Sequence, residues 1–503
     1  MLSYPWKLAL LTGPPACLVL IDITGVGIAV NRIRGSFGTT QAEGTLITYL
    51  YYAGLLLTNA AEGYLAHRYG MRRVWLAGQA GLIGGSLLTG LAWGIEPFLA
   101  GRLLMGMAAG LLLPASLSLA LATTARTARV ALLAVLTITF AGPLLGVPLG
   151  GVVSQATDWR WVFLLNVPLG ALWLLLGLVW LHETPVELTP RFDWVGWLLL
   201  VLLYVAMVVS VAGVANSGWR WILGPFELRM LAGAALLLLL LIWWELRTPH
   251  PLLDLRLFAL PRFWIGCVVA WVAFIQISGV VKLWLSFLLN PLLYGLGDQS
   301  TGALYVWAVV GCVVALPPAL VALLRLGPGR VLISGFLLLL ATYWTLGVLD
   351  ANIPRQTIQI TLFVQGMGIG LTLFPGVVGL AQAIPPARLT EGAVLMTFLM
   401  RIFSPANAAI LSTVSALRTD VHYGQLAMEL RPSDLAGPAA DANAALLTTL
   451  VQRSAYMLGI EDAWRFLQLT CVIGVLLCLT LRRGPLLRTA ATAPAPTGRQ
   501  ATA

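Results

Sequence analysis

Five ionisable side chains stand inside long apolar stretches of this 503-residue chain: Asp22, Glu62, Arg102, Lys282 and Arg401. In hydrocarbon each costs on the order of 2.5 to 3.5 kcal/mol to insert, so each needs a partner or a task. A carboxyl beside a guanidinium or ammonium changes its hold on a proton when that partner moves, which is the chemistry of a proton-coupled step. Rise along the apolar runs puts Asp22, Arg102 and Lys282 at similar depths, so that one cavity can hold all three. The bland alternative is a static ion pair that only fixes helix packing. Glu62 lies about one turn from the end of its run, where snorkelling to water or capping the next turn is the expected role.

Other chemistries find little to work with. His67, His182, His250 and His422 fall at predicted loops or helix ends, and Cys17, Cys267, Cys312, Cys471 and Cys478 lie in apolar runs without a CxxC spacing. Neither a metal site nor disulfides are indicated. No HExxH, GxSxG or GxxxxGK[ST] pattern occurs, so a membrane hydrolase or an ATP-driven pump lacks its machinery. Transport would draw on a proton gradient, with no cofactor.

The elements that must hold these residues are membrane helices. Apolar residues make up 59% of the chain and charged ones 10%, against roughly 25% charged in a soluble domain. Soluble enzymes, nucleic-acid binders and disordered scaffolds are excluded on that ground. Apolar runs predict fourteen spans, at 8–31, 45–66, 73–94, 97–122, 129–154, 160–181, 194–215, 228–246, 263–289, 302–324, 330–349, 356–382, 393–416 and 464–482. The fold class is all-α and polytopic, arranged 6+2+6. It comprises an N-terminal six-helix bundle over 8–182, two inserted helices over 194–246, and a C-terminal bundle over 263–482. A long periplasmic loop is expected at 417–463 and a disordered cytoplasmic tail at 483–503.

The net charge of +10 comes mostly from arginine, with Lys7 and Lys282 the only lysines. Because the basic residues are scattered between apolar runs, they read as topology signals rather than as a nucleic-acid surface. One set of alternate loops holds 17 Lys and Arg and the other 10, so both termini should face the cytoplasm. No cleaved signal peptide is expected, because Pro14, Pro15 and Asp22 interrupt the first run.

Two glycine patterns bear on movement. Gly142, Pro143, Gly146, Pro148, Gly150 and Gly151 in the fifth span require a bend or a close helix approach, and a hinge is the reading adopted. The turn Gly70-Met71-Arg72-Arg73 is echoed by Gly327-Pro328-Gly329-Arg330, a weak sign of duplication.

Several motifs resemble the 14-helix drug:proton antiporter branch of the major facilitator superfamily, the EmrB- and QacA-like exporters. The resemblance runs from about Leu20 to Leu481. Gly63 to Arg73, with Arg68, Gly70, Arg72 and Arg73, is similar to the GxLaDrxGrr turn, His67 standing where Asp is common. Arg102, Gly106 and Gly110 resemble the RxxxG segment whose Arg is implicated in proton coupling, and Gly142 to Gly151 the antiporter motif. Trp159-Arg160-Trp161 through Asn166, Pro168 and Gly170 resembles WRWxFxxNxPxG. Leu20 to Thr24 resembles LDxT, although Val30-Asn31 replaces the usual Pro. Pro251 to Phe258 matches the linker before the ninth span, and Arg401 stands where the family often has Arg. Lys282 matches nothing; a cation in the cavity would favour acidic compounds.

The resemblance implies proton-coupled efflux of hydrophobic or amphipathic drugs across the bacterial inner membrane. Two halves would rock about a site where Asp22 binds the proton, Arg102 and Lys282 bias it, and Arg401 orients the second half. A dedicated exporter of one metabolite, lipid or fatty acid is the same-fold alternative; a membrane-embedded enzyme or channel is disfavoured. Partners are then a small hydrophobic substrate, protons, the lipid bilayer, and a periplasmic adaptor with an outer-membrane channel, the adaptor meeting the 417–463 loop.

Overall fold

A computed structural model of the chain describes residues 4–121, 126–183, 192–217, 225–249, 251–347, 353–382, 384, 388–429 and 440–481. Among them the regular structure is helical, with no strand. The helices are α1 (Tyr4–Phe37), α2 (Gln41–Tyr69), α3 (Met71–Gly90), α4 (Ile95–Leu121), α5 (Arg126–Ala156), α6 (Trp161–Leu164), α7 (Asn166–Trp180), α8 (Trp194–Ser217) and α9 (Pro225–Arg247). After a 3₁₀ turn at Leu255–Ala259 follow α10 (Pro261–Leu288), α11 (Asp298–Leu326), α12 (Pro328–Leu346), α13 (Arg355–Gln382), α14 (Leu389–Glu429) and α15 (Ala440–Leu481). The sixth predicted span is broken at Leu165 because Pro168 has no N–H and its ring excludes the carbonyl of Leu164. Counting α6 and α7 as one span gives fourteen. Eight of the described helices contain stretches long and apolar enough to cross a membrane.

The two ends of the last pair of helices differ from expectation. The stretch 417–463 was expected as a loop, but α14 runs on to Glu429 and α15 starts at Ala440; 430–439 and the tail at 483–503 lie outside the described residues. Hydropathy marks where an apolar run ends, not where a helix ends. Helix-compatible polar residues carry both helices on, and Arg418, His422 and Arg465 all bind Asp462, at 2.5, 2.8 and 2.8 Å. The bonds from Arg418 and His422 tie α14 to α15 beyond the apolar runs, and Arg465 holds Asp462 from within α15.

Packing follows one scheme twice. In the first half α4 packs on α2 and α3, and α5 on α1; in the second, α13 packs on α11 and α12, and α14 on α10. The helix crossings match in detail. A Cβ on Gly54 would run into the backbone of Leu103, Gly106 and Met107, and one on Gly311 into Phe363 and Met367. Only glycine lets these backbones approach so closely. Gly70, at φ 89°, and Gly327, at φ 82°, each join consecutive helices in a conformation open to glycine. One offset in numbering therefore relates α2 to α11: Gly54 to Gly311 and Gly70 to Gly327.

The halves meet through α5 and α11, α2 and α14, and α4 and α14. A core formed mainly by α10 to α15 takes in Ile28, Leu144 and Val147 from the first half. Another joins Tyr52, Leu56 and Ala60 of α2 to α8, α9, α10 and α14.

The α5 glycines serve these approaches. A Cβ on Gly142 would meet the carbonyl of Cys17, on Gly146 that of Ile21, on Gly150 that of Gly25, while Gly151 lies on Asp298 and Gly302 of α11. Helix α5 runs unbroken through Pro143 and Pro148. Gly146→Leu should therefore push α1 off α5 and destabilise the bundle by about 1–3 kcal/mol, read as a lower Tm in detergent; an unchanged Tm would show that the seam is not tight.

Candidate functional site

Helices α1, α2 and α4 meet around one ion pair. Arg102 of α4 donates from Nη1 to Oδ2 of Asp22 at 2.5 Å, and both side chains are 1% exposed. Its Nε donates to the carbonyl of Ile47 on α2 at 3.2 Å. The guanidinium lies over the Tyr51 ring, 4.4 Å from its centroid, and 5.6 Å from that of Phe163. Tyr51 in turn donates its hydroxyl to the carbonyl of Val19. The cation is thus held by one carboxylate, one carbonyl and two aromatic faces, with water excluded. The other carboxylate oxygen, Asp22 Oδ1, is buried with no hydrogen-bond partner among the described residues. One oxygen is anchored and the other is unpartnered.

Neighbouring motifs build the frame. Trp159 donates to Ser36 Oγ at 2.9 Å and sits among Phe37, Phe98 and Phe163. Arg160 donates to the carbonyl of Ala92, and Gln79 to that of Gly170. These bonds fix the start of α7 against α3 and the end of α1.

Lys282 does not join the pair. On α10 the residues Val268, Trp271, Phe274, Ser278, Lys282 and Leu285 are half-buried or exposed at helical spacing, among neighbours that are mostly buried. Lys282 is exposed on this stripe of α10. Among the described residues it makes no ion pair. Trp271 on the same stripe donates to Asn407 of α14 at 2.8 Å. Cation, hydroxyl and aromatic rings on one helix face make a surface that can take an amphipathic molecule.

Glu62 departs from the snorkelling role. It is 1% exposed and Oε1 has no partner, because it falls on the α2 face of Leu55, Asn59 and Ala66 that packs against α4 rather than on the exposed last turn. Arg401 lies on α14, and its side chain is outside the described residues. At the turn between α2 and α3, His67 Nδ1 is 2.7 Å from the Gly63 carbonyl, Arg68 donates to the Tyr64 hydroxyl at 2.5 Å, and Arg72 and Arg73 both pair with Glu183. His67 therefore supplies no counter-charge to these arginines; Glu183 after α7 does.

Two clusters were not singled out from the sequence. Arg32 pairs with Asp298 at 2.6 Å and donates to the Ser154 carbonyl, while Gln155 accepts from the backbone of Gln299; these bonds join α1 and α5 to α11. Asp193 accepts from the Trp244 indole, and Glu245 accepts from the Leu253 backbone. Both sit at ends of apolar runs, where a charge reads as an ordinary boundary.

Comparison with known proteins says what kind of protein this packing belongs to. The family described as Major Facilitator Superfamily matches residues 16–406. The chain belongs to the Major Facilitator Superfamily. It is a multi-pass membrane transporter, not an enzyme. Among superfamily members it is 28% identical over 432 residues to the multidrug resistance protein B homolog of Mycobacterium tuberculosis, covering 82% of this chain and 78% of that one. It is 26% identical over 420 residues to the multidrug export protein EmrB of Escherichia coli K12, with 82% and 80% covered. It is 27% identical over 423 residues to the fatty acid resistance protein FarB of Neisseria gonorrhoeae, with 82% and 81% covered. A bacterial homologue of the lysosomal transporter Spinster, solved inward-facing and unoccupied, superposes with a TM-score of 0.58 at 14% identity, covering 96% and 98% of the two chains; that likeness shows the fold.

Removing one member of a buried pair leaves the other charged and unpaired, at about 3–5 kcal/mol. Arg102→Leu should lower the Tm in detergent more than the double variant Asp22→Asn, Arg102→Leu does. Equal losses would mean that the two groups do not hold each other.

Proposed function

We propose that this transporter exports hydrophobic or amphipathic organic compounds across the cytoplasmic membrane in exchange for protons, by alternating access of its two halves. The observation that carries the reading is the water-excluded Asp22–Arg102 pair, with one carboxylate oxygen anchored and the other unpartnered. An oxygen without a hydrogen-bond donor can accept a proton without breaking an existing bond. The names of the relatives, which include drug-export and fatty-acid-resistance proteins, support export as the direction. No cofactor enters, because the proton gradient supplies the driving force.

In this reading the termini face the cytoplasm, so the Arg32–Asp298 contact closes the outer end and the turn at Gly70 lies at the inner one. Gly151 of α5 and Gly302 of α11 are the contact at which the halves move, since they let the two backbones slide without side chains interlocking, while Gly142, Gly146 and Gly150 hold α5 to α1. Arg401 orients the second half. The helical arms of α14 and α15, extending beyond the apolar runs, are the surface offered to a periplasmic adaptor and, through it, to an outer-membrane channel.

One observation favours a narrower substrate class. The unpaired Lys282 on the Trp271–Phe274–Ser278 stripe of α10 matches a molecule with an acidic head and an apolar body, as a fatty acid has.

Two outcomes follow. Asp22→Asn should insert with a lowered Tm, because Arg102 loses its counter-charge, and still bind substrate, yet lose proton-driven efflux at every pH; efflux indistinguishable from wild type across the pH range would remove Asp22 from the mechanism. Lys282→Gln should weaken efflux of laurate by roughly tenfold, the effect of losing one charge-assisted contact worth about 1.4 kcal/mol, while sparing the cation tetraphenylphosphonium. An equal loss for both compounds would mean that Lys282 does not read substrate charge.

A further inference from the structure

Glu62 is a carboxyl that helix packing does not call for. Its oxygen Oε1 is enclosed without a partner, and no hydrogen bond or ion pair is made by this residue among the described ones. The offset that relates Gly54 to Gly311 and Gly70 to Gly327 relates Glu62 to Ala319, which is 0% exposed in α11. The same place in the same helix crossing is filled in the second half by a methyl group. The first half keeps an ionisable group there at an energetic cost; Asp22 and Glu245, which also have an unpartnered buried oxygen, bond through their other oxygen, and among the described residues Glu62 does not.

The position lies on the seam between α2 and α4. Gly106 and Gly110 of α4 sit against the backbone of Tyr51 and of Leu55 and Asn59, and Glu62 follows on the same α2 face. The seam begins at Ile47, whose carbonyl receives Arg102, so Glu62 lies about 22 Å further along α2. Thr58, which donates to the Met107 carbonyl, and the buried Asn59 stand between the two places. Helix α14 packs on both α2 and α4 and therefore covers this seam from the other half. Rocking of the halves would uncover it.

The charged and titratable groups on the elements around Glu62 include Asp193, next to α8 where Trp197 meets the Leu57 carbonyl, and Glu245 of α9; Asp193 accepts from Trp244, and Glu245 accepts from the Leu253 backbone. Asp22 on α1 and Arg102 on α4 belong to the far end of the seam, Arg72 and Arg73 on α3 are bound to Glu183, and Tyr204 on α8 donates to the Tyr49 carbonyl. His67 and Arg68 occupy the exposed last turn of α2, and α14 carries Glu391 and Arg401, whose side chains lie outside the described residues.

We propose that Glu62 is a second proton-carrying site, at the inner end of the seam that starts at the Asp22–Arg102 pair: its carboxyl holds a proton while α14 covers the seam and gives it to cytoplasmic water when α14 moves away. The proton returns from the outer side through the same seam, so the cycle transfers protons and makes or breaks no other bond. This rests on the antiport reading above. It makes transport move two protons through two different carboxyls, with the second half contributing none at Ala319.

The test is proton flux per substrate in liposomes holding the full-length protein, with tetraphenylphosphonium and laurate as probes. Glu62→Gln should insert, bind the probes and still transport, but roughly halve the protons moved per substrate, as expected when one of two titrating groups is lost. Glu62→Asp should restore the count while shifting the pH midpoint of efflux. Infrared difference spectra between covered and uncovered states should show a carboxylic-acid band in the wild type that Glu62→Gln lacks. An unchanged proton count with an unchanged infrared band in Glu62→Gln overturns the proposal while leaving antiport through Asp22 in place. If Glu62→Gln fails to insert, Glu62→Asp decides: an unmoved pH midpoint overturns it. If the wild type moves no proton with either probe, the antiport reading fails and this proposal with it.

Discussion

A guanidinium and a carboxylate held at 2.5 Å with 1% of either side chain exposed constrain everything around them. Neither ion can be left alone in hydrocarbon, so α1 and α4 cannot separate without a replacement partner or a proton for Asp22. The other contacts of Arg102 explain why the pair lasts: the Ile47 carbonyl and the rings of Tyr51 and Phe163 all favour a cation, and only Asp22 can change charge. Protonating Asp22 leaves Arg102 with those partners intact. In the proposed cycle the acid of the pair changes state while its base stays in place.

Close packing around such a pair requires helices that approach through glycine. Gly54 with Gly106, and Gly142, Gly146 and Gly150 against α1, bring backbones together where side chains would keep them apart. The second half repeats the crossing with Gly311 and Gly366, but its buried polar contacts run through neutral amides: Trp284 donates to Gln365, and Gln276 bridges Tyr343 and Thr470. The duplication is therefore one of packing and not of charge. Among the described residues the buried ion pair lies in the first half, while the second carries the half-buried stripe of α10 with Lys282.

Much of this was legible in the letters because it rests on short-range rules. Charge inside an apolar run singled out Asp22 and Arg102, and glycine spacing singled out the α5 contacts. Gly70 and Gly327 advertised the repeated turn. What escaped depended on which way a helix face points once packed. Glu62 looked like a residue near a helix end, yet its face turns toward α4. Lys282 matched Asp22 in depth, but depth alone does not say that two groups share a wall. The arms of α14 and α15 escaped for another reason: polar residues that end a hydrophobic run continue a helix as well as they end one.

The central claim is that substrate and protons cross in opposite directions on the same cycle. Liposomes containing the full-length protein, loaded with laurate and placed in a pH gradient of either sign, test it directly. The account predicts that substrate moves against the proton gradient and that its direction reverses when the gradient is reversed. Substrate that runs down its own gradient at the same rate whatever the pH difference would contradict it.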